Sequence, residues 1–274
     1  MPDVYVTIAE AEPAVVEGLV EILELRAADR QQREMREAYF ADIAFPAGAR
    51  VAEVGCGSGP VARALASQPG VGTVVGVDLN PQMLAVARRV DPTIDWREGD
   101  AVALPLLDGA EFDVVLCQQG FQFFVGRAPA ARQMHGALTK GGRLGVSTWR
   151  SDEEFPLLHE LRRIAERHVG PITDRRFSLG DPSPLEADLR ATGFLDVRSK
   201  HFSRTIRFED GSVFVRLNAI VLLSMNEEGS TLDDEARQHM VDAIVSDSAG
   251  LVRSHSDDAG FAFEIGTNVV LANA

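Results

Sequence analysis

Glu53, Gly55, Cys56, Gly57 and Gly59 lie at the end of an apolar run, with glycine at every second position from 55 to 59. Glycine has no Cβ, so alternate positions can take positive φ and bring backbone N–H groups close to a ligand. An apolar strand, a glycine loop and a following helix make a unit that cradles nucleotides. Specificity comes from the next two strand ends: Asp78 closes the second apolar run, and Gly99 and Asp100 close the third. Three successive strand ends thus each deliver a polar group to one crevice, where carboxylates can accept hydrogen bonds from hydroxyl and amino groups.

The flanking sequence supplies the elements that hold these ends together. Residues 60–68 read as the helix behind the glycine loop, with Val61 and Leu65 toward a sheet. After Asp78, Asn80 is placed to cap a helix and Pro81 fits its first turn without losing a bond. Met83, Val86, Ala87 and Val90 then recur on one face of it. Residues 112–119 read as a fourth strand and residues 138–146 as the turn into a fifth. Strands alternating with helices imply right-handed crossovers and a parallel sheet, with the ligand crevice at the strand C-terminal ends.

Upstream, residues 7–45 predict two polar-rich helices, the first marked by Val15, Leu19, Ile22 and Leu23 and the second running past Met35 and Tyr39. Downstream, residues 155–169 and 184–191 predict helices, and residues 195–208 and 261–271 predict two further strands. Between those strands, residues 209–258 read as a helical insertion. Val213, Leu217, Ile220 and Val221 mark one helix there, and Thr231 with Asp234 forms a capping-box start for another. The expected organisation is an N-terminal helical cap over the cleft (1–45), a ligand-binding core (46–150), and the rest of the sheet with its insertion (151–274).

The ordered set of Glu53, the alternating glycines, Asp78 and Gly99-Asp100, continued by residues 112–119 as strand 4 and 138–146 as the turn into strand 5, resembles the class I S-adenosylmethionine (SAM)-dependent methyltransferases. Within them it looks most like the small-molecule enzymes related to ubiquinone and menaquinone biosynthesis. The resemblance covers about residues 48–150. It implies a Rossmann-like α/β fold with a seven-stranded, mostly parallel sheet, helices on both faces and an antiparallel last strand. It also implies SAM as cofactor, S-adenosylhomocysteine (SAH) as product, and a role for each motif residue. Glu53 would hold the cofactor's ammonium, with Gly55, Cys56, Gly57 and Gly59 against its methionyl portion. Asp78 would accept from both ribose hydroxyls. Gly99, Asp100 and Ala101 would meet the adenine, Leu79 and Met83 would wall it, and Gln118 would face the methionyl group.

Acceptor contacts are expected from Gln119, Phe123, Phe124 and Trp149, which follow the fourth and fifth strands, and from Tyr39 in the cap. At least one of Phe121, Phe123 and Phe124 is expected to be core. Methyl transfer needs acceptor, methyl and sulfur in line, so alignment and exclusion of water can supply the catalysis. No residue announces itself as a general base, and His135, His159 and His168 read as surface or packing residues. The chain lacks the acidic-or-Asn-Pro-Pro-aromatic motif of nucleic-acid base methyltransferases after strand 4, the paired glutamates of protein arginine enzymes, and the Asp/Asn ligands of metal-dependent catechol enzymes. A metal-independent small-molecule methyltransferase is the resulting expectation, with the acceptor atom open among O, N, C and S.

Two other readings use the same residues. A non-catalytic SAM-binding protein, or an enzyme using SAM without methyl transfer, would keep the whole motif. A nicotinamide-dependent oxidoreductase would use Gly55, Gly57 and Asp78, but Gly59 falls one position short of G-x-G-x-x-G and Glu53 and Asp100 have no part in that scheme.

Composition sets the outer bounds. The 274 residues are 45% hydrophobic and 25% charged, which is ordinary for a globular chain, and the formal net charge of −14 repels nucleic acid and anionic membrane surfaces. Basic residues gather only at Arg162, Arg163, Arg167, Arg175 and Arg176, which read as solvated faces. The two cysteines, Cys56 and Cys117, form no C-x-x-C pair and read as small buried hydrophobes. No secretory segment is seen at residues 1–4 and beyond, and no run is of bilayer-spanning length, so a cytoplasmic location is expected. Oligomeric state stays open, a homodimer included.

Overall fold

A computed structural model describes residues 5–11, 13–105 and 112–274. Residues 1–4, part of the stretch that bears on a secretory segment, lie outside that description, as do 12 and 106–111. The first half alternates strand and helix as the periodicity predicts. After α1 (Pro13–Ala28) and α2 (Arg30–Ile43) come β1 (Ala49–Val54), α3 (Pro60–Ala66), β2 (Val71–Asp78), α4 (Pro81–Val90), β3 (Asp95–Glu98), β4 (Phe112–Gln118), α5 (Arg127–Ala137) and β5 (Leu138–Trp149). The second half contains α6 (Pro156–Val169), α7 (Ser183–Ala191), β6 (Leu195–Phe208), α8 (Gly211–Ser224), α9 (Glu227–Ser230), α10 (Asp234–Asp247), α11 (Ala249–Ser254), β7 (Ser256–Asp257) and β8 (Gly260–Asn273).

The sheet order is β3-β2-β1-β4-β5-β8-β6, with β7 paired to β8, making eight strands rather than the seven expected. The extra strand is a two-residue clasp opposite Phe261 and Gly260, too short to carry any periodicity. β1 to β5 are parallel, and β8 runs antiparallel to both β5 and β6. The chain leaves β1 toward β2 and β3 on one side and toward β4 and β5 on the other. The order therefore reverses beside β1, and a crevice opens there at the carboxyl ends of the strands.

Both sheet faces are covered, which is why the residues of β1, β4 and the end of β5 are buried in unbroken runs rather than in alternation. One face packs Val54, Phe112 and Val115 against Met134 of α5 and Leu185 and Leu189 of α7. The other packs Val51, Val114 and Leu116 against Leu65 of α3, Leu84 of α4 and Tyr39, Phe40 and Ile43 of α2. The C-terminal half of α2 thus belongs to the sheet's covering layer, while Gln32 and Arg36 nearer its start line the cavity. A third cluster joins Leu19 of α1 to Leu161, Leu222 and Ile244 of α6, α8 and α10, so the insertion and the first helix share one core.

Local signals hold at α4, where the Asn80 side chain accepts from the Met83 N–H and Pro81 occupies the first turn. Elsewhere the pattern misleads. Val90 and Val213, expected on apolar faces, are half exposed: Val90 is the last residue of α4, and Val213 lies off the buried stripe of α8 that runs through Gly211, Val215, Ala219 and Leu222. α10 is capped by Asp233, which accepts from Ala236 N–H, and not by Thr231, whose hydroxyl donates to the Glu228 carbonyl. Among the described residues no helix is long and apolar enough to cross a membrane.

Candidate functional site

The glycine loop between β1 and α3 takes φ of +74°, +55° and +86° at Gly55, Gly57 and Gly59, the left-handed region that favours glycine. Its N–H groups face inward, which corrects the expectation that they meet a ligand. Gly55 and Cys56 both donate to the Val77 carbonyl, at 2.8 and 3.0 Å, and Gly57 donates to Asp78 Oδ2 at 2.7 Å. The loop is pinned to the end of β2, so it offers a close backbone surface rather than a nest of free donors. Gly59 serves packing: a Cβ there would run into the Trp96 ring, and Gly59 does not line the cavity in front of the loop.

That cavity, of about 300 Å³, is lined by Glu53, Gly55, Cys56, Gly57, Asp78, Leu79, Met83, Gly99, Asp100, Ala101 and Gln118, with Gln119, Phe123, Phe124 and Trp149 beside them. The residues singled out from sequence are thus brought together, Gly59 and Tyr39 excepted. Tyr39 is 3% exposed and sits under the sheet, where a Cβ on Gly145 would come within 2.6 Å of its hydroxyl. The cause is position along α2: Arg36 and Gln32, on the same face one and two turns earlier, reach the cavity, whereas Tyr39 packs with Phe40 and Ile43 against the sheet. Phe121 is the core aromatic of its trio, fully buried, while Phe123 stacks on Tyr5 at 4.5 Å.

Two oxygens in this cavity are buried without a hydrogen-bond partner: Glu53 Oε2 and Gln118 Oε1. Burial pushes the Glu53 carboxyl well above the usual range, and the Ala62 backbone amide, Arg63 and Arg36 pull the other way. Asp78 is also raised by burial, against hydrogen bonds from the backbones of Asn80, Gly57 and Leu79. Its Oδ1 accepts from Asn80 N–H at 2.9 Å, leaving lone pairs on both oxygens for a ligand. Asp100 accepts from Val102 N–H at 3.0 Å and so also closes its own turn. Cys56 Sγ is buried, with burial raising the thiol's pKa, and it is not a reactive thiol.

Several lining residues escape a reading of the sequence alone. Arg26 of α1 donates from Nε to Gln32 Oε1 at 3.0 Å and from Nη2 to Gln119 Oε1 at 3.1 Å, with its Cζ 4.7 Å above the Trp149 ring centroid. Burial pushes its guanidinium down to about 10, with Arg176 and Arg36 adding in the same direction. Gln119, just past β4, holds φ +56°, an uncommon conformation for a side-chain-bearing residue. Arg176, expected on a solvated face, instead turns inward and pairs with Asp174 at 2.7 Å. Phe177, Phe214, Asn218 and Phe263 also line the space. These positions carry no motif, and only the docking of α1, α8 and β8 brings them in. The histidines stay outside: His159 meets Asp152 at 2.9 Å, His168 meets Asp247 at 3.0 Å, and His135 packs edge-on to Phe194. Among the described residues no group of three or more His, Cys, Asp or Glu is placed to hold a metal ion.

A methyltransferase-domain family matches residues 52–146, from within β1 to within β5. A demethylmenaquinone methyltransferase of Deinococcus radiodurans is 31% identical over 186 residues, spanning 59% of this chain and 74% of that relative. The chain belongs to the class I SAM-dependent methyltransferase family. An uncharacterised methyltransferase-like protein of Schizosaccharomyces pombe is 34% identical over 119 residues, 43% of this chain, and the chain spans 45% of that relative, under half its length. In fold, this family member is similar to a crystal structure described as a methyltransferase from Bacillus halodurans, with a TM-score of 0.55, 20% identity, and coverage of 87% of this chain and 97% of that one. The family match spans β1 to β5, and α1, α2 and the segments after β5 lie outside it.

Proposed function

We propose that the chain transfers a methyl group from SAM to a small-molecule acceptor. The observation that carries this reading is the pair of buried, unpartnered acceptors, Glu53 Oε2 and Gln118 Oε1, facing one cavity beside the glycine loop. Two orphan oxygens are costly unless a ligand brings donors, and an amino-acid ammonium brings three. Asp78 adds acceptors for a ribose diol, and Leu79, Met83 and the Asp100–Ala101 turn form a slot for a flat base. Arg36, whose charge acts on Glu53, is suited to the carboxylate of the same amino-acid end. The inward-facing loop N–H groups argue against a dinucleotide, whose pyrophosphate needs such donors free.

SAM, when bound, supplies an electrophilic methyl on a sulfonium. The chain's own part is to hold the acceptor in line and keep water out. Gln119, Phe123, Phe124 and Trp149 border the methionyl end, and α1 closes over the loop through Glu24, which accepts from the Ser58 hydroxyl at 2.8 Å and pairs with Arg63 at 2.6 Å. Enclosure of this kind favours alignment and desolvation over a dedicated base.

Thermal unfolding with SAH and, separately, with NAD tests the reading. At about 100 times its dissociation constant a ligand adds roughly 2.7 kcal/mol, which for a chain of this size is a rise of about 5–10 °C. A rise with SAH alone is expected. No rise with SAH, or a rise only with NAD, overturns the proposal.

A further inference from the structure

Besides Glu53, Asp78 and Asp100, the cavity lining includes Arg26, which lies over the Trp149 ring and bonds Gln119, and the aromatic side chains of Phe177, Phe214 and Phe263. Arg26 is half-buried, and its hydrogen-bond partners are two neutral amide oxygens, Gln32 Oε1 and Gln119 Oε1. Burial depresses its pKa, Tyr5 opposes this, and the nearby Arg176 and Arg36 add to it. A guanidinium withdrawn from water costs free energy that amide oxygens and a ring face only partly offset, and a carboxylate placed on its remaining donors offsets it far more fully.

Building on the methyltransferase reading, we infer that the acceptor carries a carboxylate on an aromatic or similarly flat apolar skeleton, and that Arg26 receives that carboxylate. Gln32 and Gln119 hold the fork by its Nε and Nη2, and Trp149 supports its face, so the orientation is set before the acceptor arrives. Two donors on Nη1 and one on Nη2 are left, enough for a two-point contact with a carboxylate. The left-handed φ of Gln119 turns its side chain toward this arginine at the end of β4, a strain consistent with a functional position. Arg176 is already committed to Asp174 and Asn218, and Arg36 lies by Glu53, so Arg26 is the arginine placed to face the acceptor. The aromatic side chains of the cavity lining supply apolar faces for the skeleton.

The test is calorimetric binding of 3-hydroxy-2-naphthoate and of its methyl ester to the SAH-loaded protein, wild type and Arg26→Gln, with Arg26→Lys as a charge-retaining control. The acid is expected to bind at least tenfold more tightly than the ester. Arg26→Gln should erase that preference and Arg26→Lys should keep part of it, while SAH affinity changes less than about threefold. Equal or tighter binding of the ester, binding of neither probe, or an unchanged preference in Arg26→Gln overturns the inference while leaving the methyltransferase reading intact. A loss of SAH affinity in Arg26→Gln also overturns it, since Arg26 would then serve the cofactor's carboxylate. If Arg26→Gln fails to fold, the wild-type comparison of acid with ester still decides. Failure of SAH to bind the wild type sinks the methyltransferase reading, and this inference with it.

Discussion

At the scale of single residues, the two acids of the site have different duties. Asp78 couples the glycine loop to β2 by accepting from Gly57 N–H, as well as from Asn80 N–H. Asp78→Ala is therefore expected to weaken SAH binding by at least tenfold and also to lower stability by about 1–3 kcal/mol, since two backbone donors lose their acceptor; calorimetry and urea unfolding read the two effects. Glu53 is the opposite case, a group whose burial raises its carboxyl pKa. The native state then binds the proton more tightly than the unfolded chain. Stability from this group is complete below the ordinary carboxylate range and is lost as pH rises through the raised value. Glu53→Gln should accordingly raise the melting temperature of the ligand-free protein at neutral pH while weakening SAH by about tenfold, the worth of one charge-assisted contact. The same variant should flatten the part of the SAH affinity that grows with pH, leaving that of Asp78. A variant that is destabilised at neutral pH and binds SAH normally would refute the assignment.

At the scale of elements, the glycines of the loop are not interchangeable. Gly55 and Gly57 front the cavity, whereas Gly59 makes room for Trp96 from β3. Gly59→Ala meets both a positive φ and the Trp96 ring, and is expected to cost about 2–4 kcal/mol. In a Trp96→Leu background the added cost should fall, a coupling that a double-mutant cycle of unfolding free energies measures. α1 is held over the loop by Glu24 through Ser58 and Arg63. Glu24→Ala should release α1 at about 1 kcal/mol, seen as faster hydrogen exchange in α1 while β1 and β4 stay protected.

At the scale of the whole molecule, β8 ties the parallel half to the rest. It lies between β5 and β6 and buries Val269, Val270, Leu271 and Ala272. A chain ending at residue 259 is expected not to fold cooperatively, because β5 and β6 would both lose their partner and expose an apolar edge; a sharp thermal transition in that truncated chain would contradict this. Much of the core is legible in the sequence because its signals are local. Strand ends at Val54, Asp78 and Gln118 follow from apolar runs closed by polar residues, and the Asn80 cap follows from two adjacent residues. The elements that depart from expectation lack such signals. β7 is two residues long, Thr231 yields the cap to a neighbouring aspartate, and Tyr39 faces whichever side α2 docks on.

The amino-acid sequence by itself determined the alternating strand and helix order, the glycine loop and the acids that close β1, β2 and β3, because each rests on contacts between near neighbours in the chain. Only the tertiary structure decided which way the loop's N–H groups turn, that Tyr39 lies beneath the sheet, and that Arg26 stands over Trp149 beside Gln119. Those outcomes depend on how separate elements pack, and packing joins residues so distant along the chain that no local pattern connects them.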